Sequence, residues 1–248
     1  MTTLITSAGT PSRSPAAESP EKNVTDDWRP IYRAAGIAAL AVVALMPVQM
    51  AVFVLWPPPT TIADWFALFQ RNSLVGLMNM DLALIVDYVL LAVLFLGLFA
   101  ALRRVRPALA AAFLMLELLA AAVYFASAVA FEMLAASGQW AAAGSDLERA
   151  AALAVGQGLL LTWQGTAFTV SYVLAGTAML LVGVVMLRGG PFGKITAYAG
   201  IAGGALGLIP ASAGMVGLVA SLLSLIPLAV WLVGTGRGLL RVASRGGA

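Results

Sequence analysis

The chain has 248 residues, of which 61% are hydrophobic and only 10% charged, with a net charge of +3. Soluble domains carry about 25% charged residues, so a soluble globular protein is excluded. With neither Cys nor His, thiol redox chemistry, disulfides, His-ligated haem and most zinc sites are excluded as well; no cofactor or metal is expected, and only a hard cation on oxygen ligands would suit what remains.

Several apolar stretches of about 20 residues follow one another, the length that crosses a hydrocarbon core of ~30 Å. The fold class expected is therefore all-α, a polytopic membrane helical bundle. Twelve of the fourteen basic residues are Arg, and Ala and Gly abound, which reads as the mark of a GC-rich bacterial genome and places the chain in a bacterial plasma membrane. The basic residues flank the apolar stretches and do not cluster with aromatics, so no nucleic-acid partner is expected.

In chain order, residues 1–27 are rich in Ser, Thr, Pro and charge and lack the apolar core of a signal peptide. They predict a disordered cytoplasmic tail. A six-helix membrane domain then covers 28–241, with 242–248 as a short cytoplasmic tail. The first span is expected at 34–56, ending at Pro57, Pro58 and Pro59. "TTIADWFALFQRN" follows, with Ile62, Trp65, Phe66 and Phe69 at helical spacing on one face. That pattern predicts an amphipathic helix lying at the outer membrane interface. The second span is expected at 76–102 and the third at 108–131.

"SDLERAAALAVGQG" opens with Ser145 and Glu148 in capping-box spacing and predicts a second outer amphipathic helix. These two segments serve as a cover for the outer ends of the spans, or as a lid over an outward-facing cavity. The fourth span is expected at 163–187, the fifth, short and glycine-rich, at 194–209, and the sixth at 214–234. In the fifth, Gly200 with Gly204 and Gly203 with Gly207 form overlapping GxxxG patterns. Such patterns admit a close backbone neighbour, either within the chain or in a homo-oligomer.

Orientation follows from charge. Arg13, Lys22, Arg29, Arg33, Arg103, Arg104, Arg106, Arg188, Lys194, Arg237, Arg241 and Arg245 fall on one side, against Arg71 and Arg149 on the other. The positive-inside rule places both termini in the cytoplasm. Trp28, Tyr32, Tyr198 and Trp231 then fall near the inner interface, and Trp56 and Trp163 near the outer one.

The candidate functional residues are the polar ones inside the spans. Counting from Arg103 and Arg106 at 1.5 Å per residue, Asp81 lies ~33 Å, Asp87 ~24 Å and Glu117 ~16 Å above the inner surface. Asp81 is expected to reach the outer interface, solvated or paired with Arg71. Asp87 and Glu117 lie deep, where carboxylates face the bundle interior or a watery cavity. They act there as neutral hydrogen-bonding acids or as proton-exchanging groups. Tyr124, Ser171, Tyr172 and Thr177 occur at matching depths and complete the candidate site. Gln157, Gln164 and Ser171 share a face if the helix is continuous there.

The phrases "LVGLMNMDLALIVD", "YFASAVAFEML", "WQGTAFTVSYVL", "FGKITAYAGI" and "SLLSLIPLAVWL" together resemble an uncharacterised family of bacterial six-helix membrane proteins, over about residues 28–241. The resemblance implies the six-span architecture and no activity. In the family pattern an Arg commonly precedes the acidic position of the third span, whereas Leu114, Met115 and Leu116 precede Glu117 here.

Two functions remain open at the level of sequence. One is a small proton- or cation-linked transporter using the intramembrane carboxyls, with protons, a cation or a small solute as its partners besides the bilayer. The other is a non-catalytic assembly or regulatory partner whose buried polar groups fix helix packing. An enzyme would have to use Asp or Glu alone for acid–base work.

Overall fold

The computed structural model describes residues 20–245, with side chains from Trp28 onward. Ten helices account for its regular structure, and there is no strand among the described residues. They are α1 (Pro20–Leu55), α2 (Ile62–Arg71), α3 (Ser73–Asn79), α4 (Leu82–Leu102), α5 (Pro107–Phe125), α6 (Ala130–Ala142), α7 (Asp146–Trp163), α8 (Thr166–Arg188), α9 (Lys194–Gly207) and α10 (Gly214–Arg245). Residues 1–19 of the expected tail lie outside the described residues. Helix α1 begins at Pro20, inside that stretch, and α10 continues to Arg245, past the expected end of the membrane domain.

Six of the helices form a closed ring. α1 packs on α4, α4 on α5, α5 on α8, α8 on α9, α9 on α10, and α10 returns to α1. The core they enclose runs through Ala35, Ala39, Leu94, Leu98, Phe113, Val182, Ala197 and Trp231. Without a hydrophobic drive between helices in lipid, close packing of small residues does much of the holding. A side chain at Gly97 would meet the Cβ of Ala35, and one at Gly36 would meet Leu240 and the Gly236 carbonyl.

The outward faces are apolar. Val54 is 71% exposed, Met215 73% and Ile226 69%, a surface that water would not tolerate over such an extent and that lipid accepts. Five stretches are long and apolar enough to cross a membrane: Trp28–Leu55, Leu82–Leu102, Pro107–Ala142, Asp146–Arg188 and Gly214–Arg245. The sixth ring member, α9, has 14 residues and is about 21 Å long, shorter than the ~30 Å hydrocarbon core, and it packs as a full member of the ring between α8 and α10.

The GxxxG glycines of α9 are used inside the chain. A side chain at Gly204 would strike the Leu180 amide and Gly176 carbonyl of α8, one at Gly203 would strike Met179, and one at Gly200 the ring of Trp231. Trp231, expected near the inner interface, is in fact in the core, 1% exposed and packed on Phe95.

Helices α2, α6 and α7 build a small cap on one end of the ring, with α3 beneath them. Trp65, Phe66 and Phe69 of α2 bury against Val129, Ala130, Met133 and Ala136 at α6 and Ala152 of α7. The apolar face expected to lie in the membrane interface is thus covered by protein, because α6 and α7 run on past the ring and offer it an apolar partner. The close approach is made at Gly156, where any side chain would collide with Ile62 and Phe66. Gln70 also donates to Ser137 Oγ at 3.1 Å.

Thr61 caps α2 by accepting from the Asp64 amide at 3.2 Å. Ser145 caps α7 by accepting from the Glu148 amide at 3.3 Å. The Glu148 carboxylate reaches back one residue beyond the expected capping box, to the Gly144 amide at 2.7 Å.

Candidate functional site

Three helix breaks occur where the cap meets the ring. Helix α3 stops at Asn79 and α4 starts at Leu82; α5 stops at Phe125 and α6 starts at Ala130; α7 stops at Trp163 and α8 starts at Thr166. The expected second and third spans are each interrupted here, so 76–102 and 108–131 are not continuous helices.

Asp81 forms the first break. Its φ of 66° is the left-handed region, which costs an L-residue roughly 1–2 kcal/mol and which Asp tolerates better than most. It precedes α4 without capping it. Instead Oδ2 accepts a hydrogen bond of 2.7 Å from the indole N–H of Trp163. Asp81 is therefore not a solvated interfacial acid: it is 8% exposed. Arg71 does not reach it, its Nε donating to the Ala67 carbonyl at 3.4 Å.

Below Asp81 an acid–tyrosine cluster forms between α4, α5 and α8. The rings of Tyr88 and Tyr124 stack at 4.2 Å with 18° between their planes. Phe168 sits 6.5 Å from Tyr124 and 4.9 Å from Tyr172, centroid to centroid. The Tyr88 hydroxyl donates to Ser171 Oγ over a long 3.5 Å, while Ser171 gives its own proton to the Phe168 carbonyl at 2.7 Å. Glu117, Tyr172 and Asp81 lie within electrostatic reach of the Tyr88 hydroxyl, and Asp81, Asp87, Tyr88 and Tyr172 within reach of that of Tyr124.

Asp87 and Glu117 are buried, and Asp87 Oδ1, Glu117 Oε1 and the Tyr124 hydroxyl have no hydrogen-bond partner among the described residues. Ser221 of α10 lies beside Tyr172 without forming a hydrogen bond of ordinary geometry.

Of the residues singled out from sequence, Asp81, Asp87, Glu117, Tyr124, Ser171 and Tyr172 are brought together. Thr177 is not: its hydroxyl donates to the Val173 carbonyl of its own helix at 2.7 Å. Gln157 and Gln164 are exposed and separated from Ser171 by the break between α7 and α8, so the seven-residue repeat does not make a shared face. Tyr88 and Trp163 were missed. The signal for Tyr88 was its adjacency to Asp87 at a depth of ~22 Å, near that of Tyr124 at ~27 Å.

No group of three Asp or Glu side chains is placed to hold one metal ion among the described residues. Compared with protein families, characterised proteins and solved structures, the chain matches none.

Proposed function

We propose that the chain is an integral protein of a bacterial plasma membrane that crosses it six times, with both termini cytoplasmic, and that its acid–tyrosine cluster serves a small proton-linked transporter. The topology is supported by the gathering of basic residues at one end of the ring, where Arg103 lies over the Trp28 ring at 4.5 Å and Arg29 donates to the Ala243 carbonyl at 2.8 Å. Reporter fusions at Gly190 should read as cytoplasmic and at Gly144 as periplasmic; the reverse pattern would sink the orientation.

The observation that carries the transport reading is the pair of orphaned carboxyl oxygens, Asp87 Oδ1 and Glu117 Oε1. A carboxylate at bilayer depth costs at least ~2.5–3.5 kcal/mol on insertion scales. Structural acids recover part of that through interhelical hydrogen bonds of ~0.6 kcal/mol each, and these oxygens make none. Acids kept at such cost without acting as cross-links are suited to taking up and releasing a proton. Because the three carboxyls do not converge on one ion position, a proton, which a single carboxyl can carry, fits better than a metal cation.

One observation favours the second reading, an assembly or regulatory partner. The rings of Tyr88 and Tyr124 stack within the cluster, and two open clefts of the described residues lie elsewhere, at the arginine end and in the cap. Proton flux into liposomes carrying the reconstituted chain and a pH-sensitive dye separates the two. Transport predicts a flux above that of empty vesicles, lost in Asp87→Asn and Glu117→Gln while both variants stay folded. Flux equal to that of empty vesicles, or unchanged in both variants, rejects it.

A further inference from the structure

At the end of the ring opposite the cap, α1, the α4–α5 turn, the α8–α9 loop and α10 enclose a half-open cleft of about 250 Å³. Its lining includes Trp28, Tyr32, Arg103, Arg104, Pro191 and Val242. The chemistry is two-sided: two guanidinium groups stand over a floor of aromatic and aliphatic surface.

Arg103 is held in place by its cation–π contact with Trp28, 4.5 Å from guanidinium carbon to ring centroid. That contact needs no hydrogen-bond acceptor, so among the described residues the N–H donors of the guanidinium remain for another group. Arg104 is exposed at the rim, and Arg29 fastens α1 to the end of α10 through the Ala243 carbonyl. The cleft is therefore braced by contacts among three segments of the chain, α1, the end of α4 and α10.

We infer that this cleft binds a phosphate ester anion, and that its source is the headgroup of an anionic phospholipid. Two adjacent Arg side chains match the oxygens of a phosphate in the forked geometry that makes guanidinium–phosphate pairs strong. A volume below the ~300–1,000 Å³ of drug-sized sites holds a small polar head but not a large solute. Trp28 and Tyr32 are amphipathic rings of the kind that sit at headgroup level, and Ala100, Ala101 and Val242 add an apolar lining suited to the start of an acyl chain. Basic pockets between spans are the usual recognition device for such heads. The inference is independent of the transport reading, since the cleft lies at the opposite end of the ring from Asp81.

Native mass spectrometry and thermal unfolding of the purified full chain, in neutral detergent, test it. Phosphatidylglycerol should be retained several-fold more than phosphatidylcholine and should raise the unfolding temperature. The preference should fall several-fold in Arg103→Gln with Arg104→Gln, and stay unchanged in Arg71→Gln at the other end. Should the double variant fail to fold, the single Arg104→Gln, which leaves the Trp28 contact intact, should still lower it measurably. Displacement of the lipid by millimolar inorganic phosphate would identify the free anion as the ligand and overturn the lipid source. Equal retention of the two lipids, or an undiminished preference in Arg104→Gln, would overturn the proposal.

Discussion

The indole N–H of Trp163 donates to Asp81 Oδ2 at 2.7 Å, joining the end of α7 to the break before α4. The two residues are buried or half-buried, and no other hydrogen bond to the Asp81 side chain is recorded among the described residues. This single contact links two of the three helix breaks that separate cap from ring, and Trp65 rests edge-on against the same indole at 5.8 Å.

Trp163→Phe should therefore destabilise the fold by more than a surface change would. The aromatic packing survives, but a buried carboxyl loses its donor, which costs about 1–3 kcal/mol. Asp81→Asn should cost less, because its carbonyl oxygen still accepts from the indole. Thermal unfolding in detergent ranks the two. Equal stability of Trp163→Phe and wild type would show that the hydrogen bond contributes nothing.

The role given to α9 makes a second test. Gly204→Val places side-chain atoms against the Leu180 amide and the Gly176 carbonyl, backbone that cannot move aside. Overpacking of this kind costs about 1–3 kcal/mol, so the variant should lose stability with no change in oligomeric state. A variant of normal stability that shifts the chain from oligomer to monomer would show that the glycines face a second copy.

Much of the ring was legible because its signals are local: basic residues at span ends, apolar runs of sufficient length, glycines at four-residue spacing. The cap was not. Depth counting assumes that each span is a straight, unbroken helix, and the breaks at Asp81, at 126–129 and at 164–165 violate that assumption at one level. Once α3 turns away at Met80, Asp81 no longer sits at the water surface but beneath Trp163. The apolar stripe of α2 is equally suited to lipid and to protein, and only the continuation of α5 into α6 and of α8 back into α7 decides between them. Trp231 was misplaced for a related reason: a Trp is assigned to the interface by residue type, whereas the opening that Gly200 leaves in α9 lets this one into the core.

If α2 packs on protein, its apolar face should behave as a core. Phe66 is fully buried, and Phe66→Ala should cost about 3–5 kcal/mol. As the chain has no Cys, Ile62→Cys with Gly156→Cys, where a Cβ added at 156 would stand 2.7 Å from Ile62 Cγ2, offers an oxidation test in an otherwise thiol-free background. Cross-linking of cap helices in membranes would agree with the packing. A Phe66→Ala variant that unfolds like wild type and merely binds bilayers less would restore the interfacial reading.

The tyrosine pair permits the sharpest separation of packing from hydrogen bonding. Tyr88 and Tyr124 contribute the same stacked area, yet their hydroxyls differ: that of Tyr88 reaches Ser171 Oγ at 3.5 Å, and that of Tyr124 has no partner among the described residues. A buried hydroxyl without a partner is a desolvation cost that its removal relieves, whereas a paired one yields about 0.5–1.5 kcal/mol. Tyr124→Phe should thus be neutral or stabilising, and Tyr88→Phe neutral to mildly destabilising given its long bond. Tyr124→Leu should be clearly worse than either, because stacked aromatic pairs are worth about 0.5–1.5 kcal/mol beyond their area. Unfolding temperatures of the three variants, measured in one detergent, give the order directly. A strongly destabilised Tyr124→Phe would mean that this hydroxyl has a partner in the membrane, and Asp87 and Glu117, whose carboxyl oxygens stand equally unpaired, would be the first places to look for it.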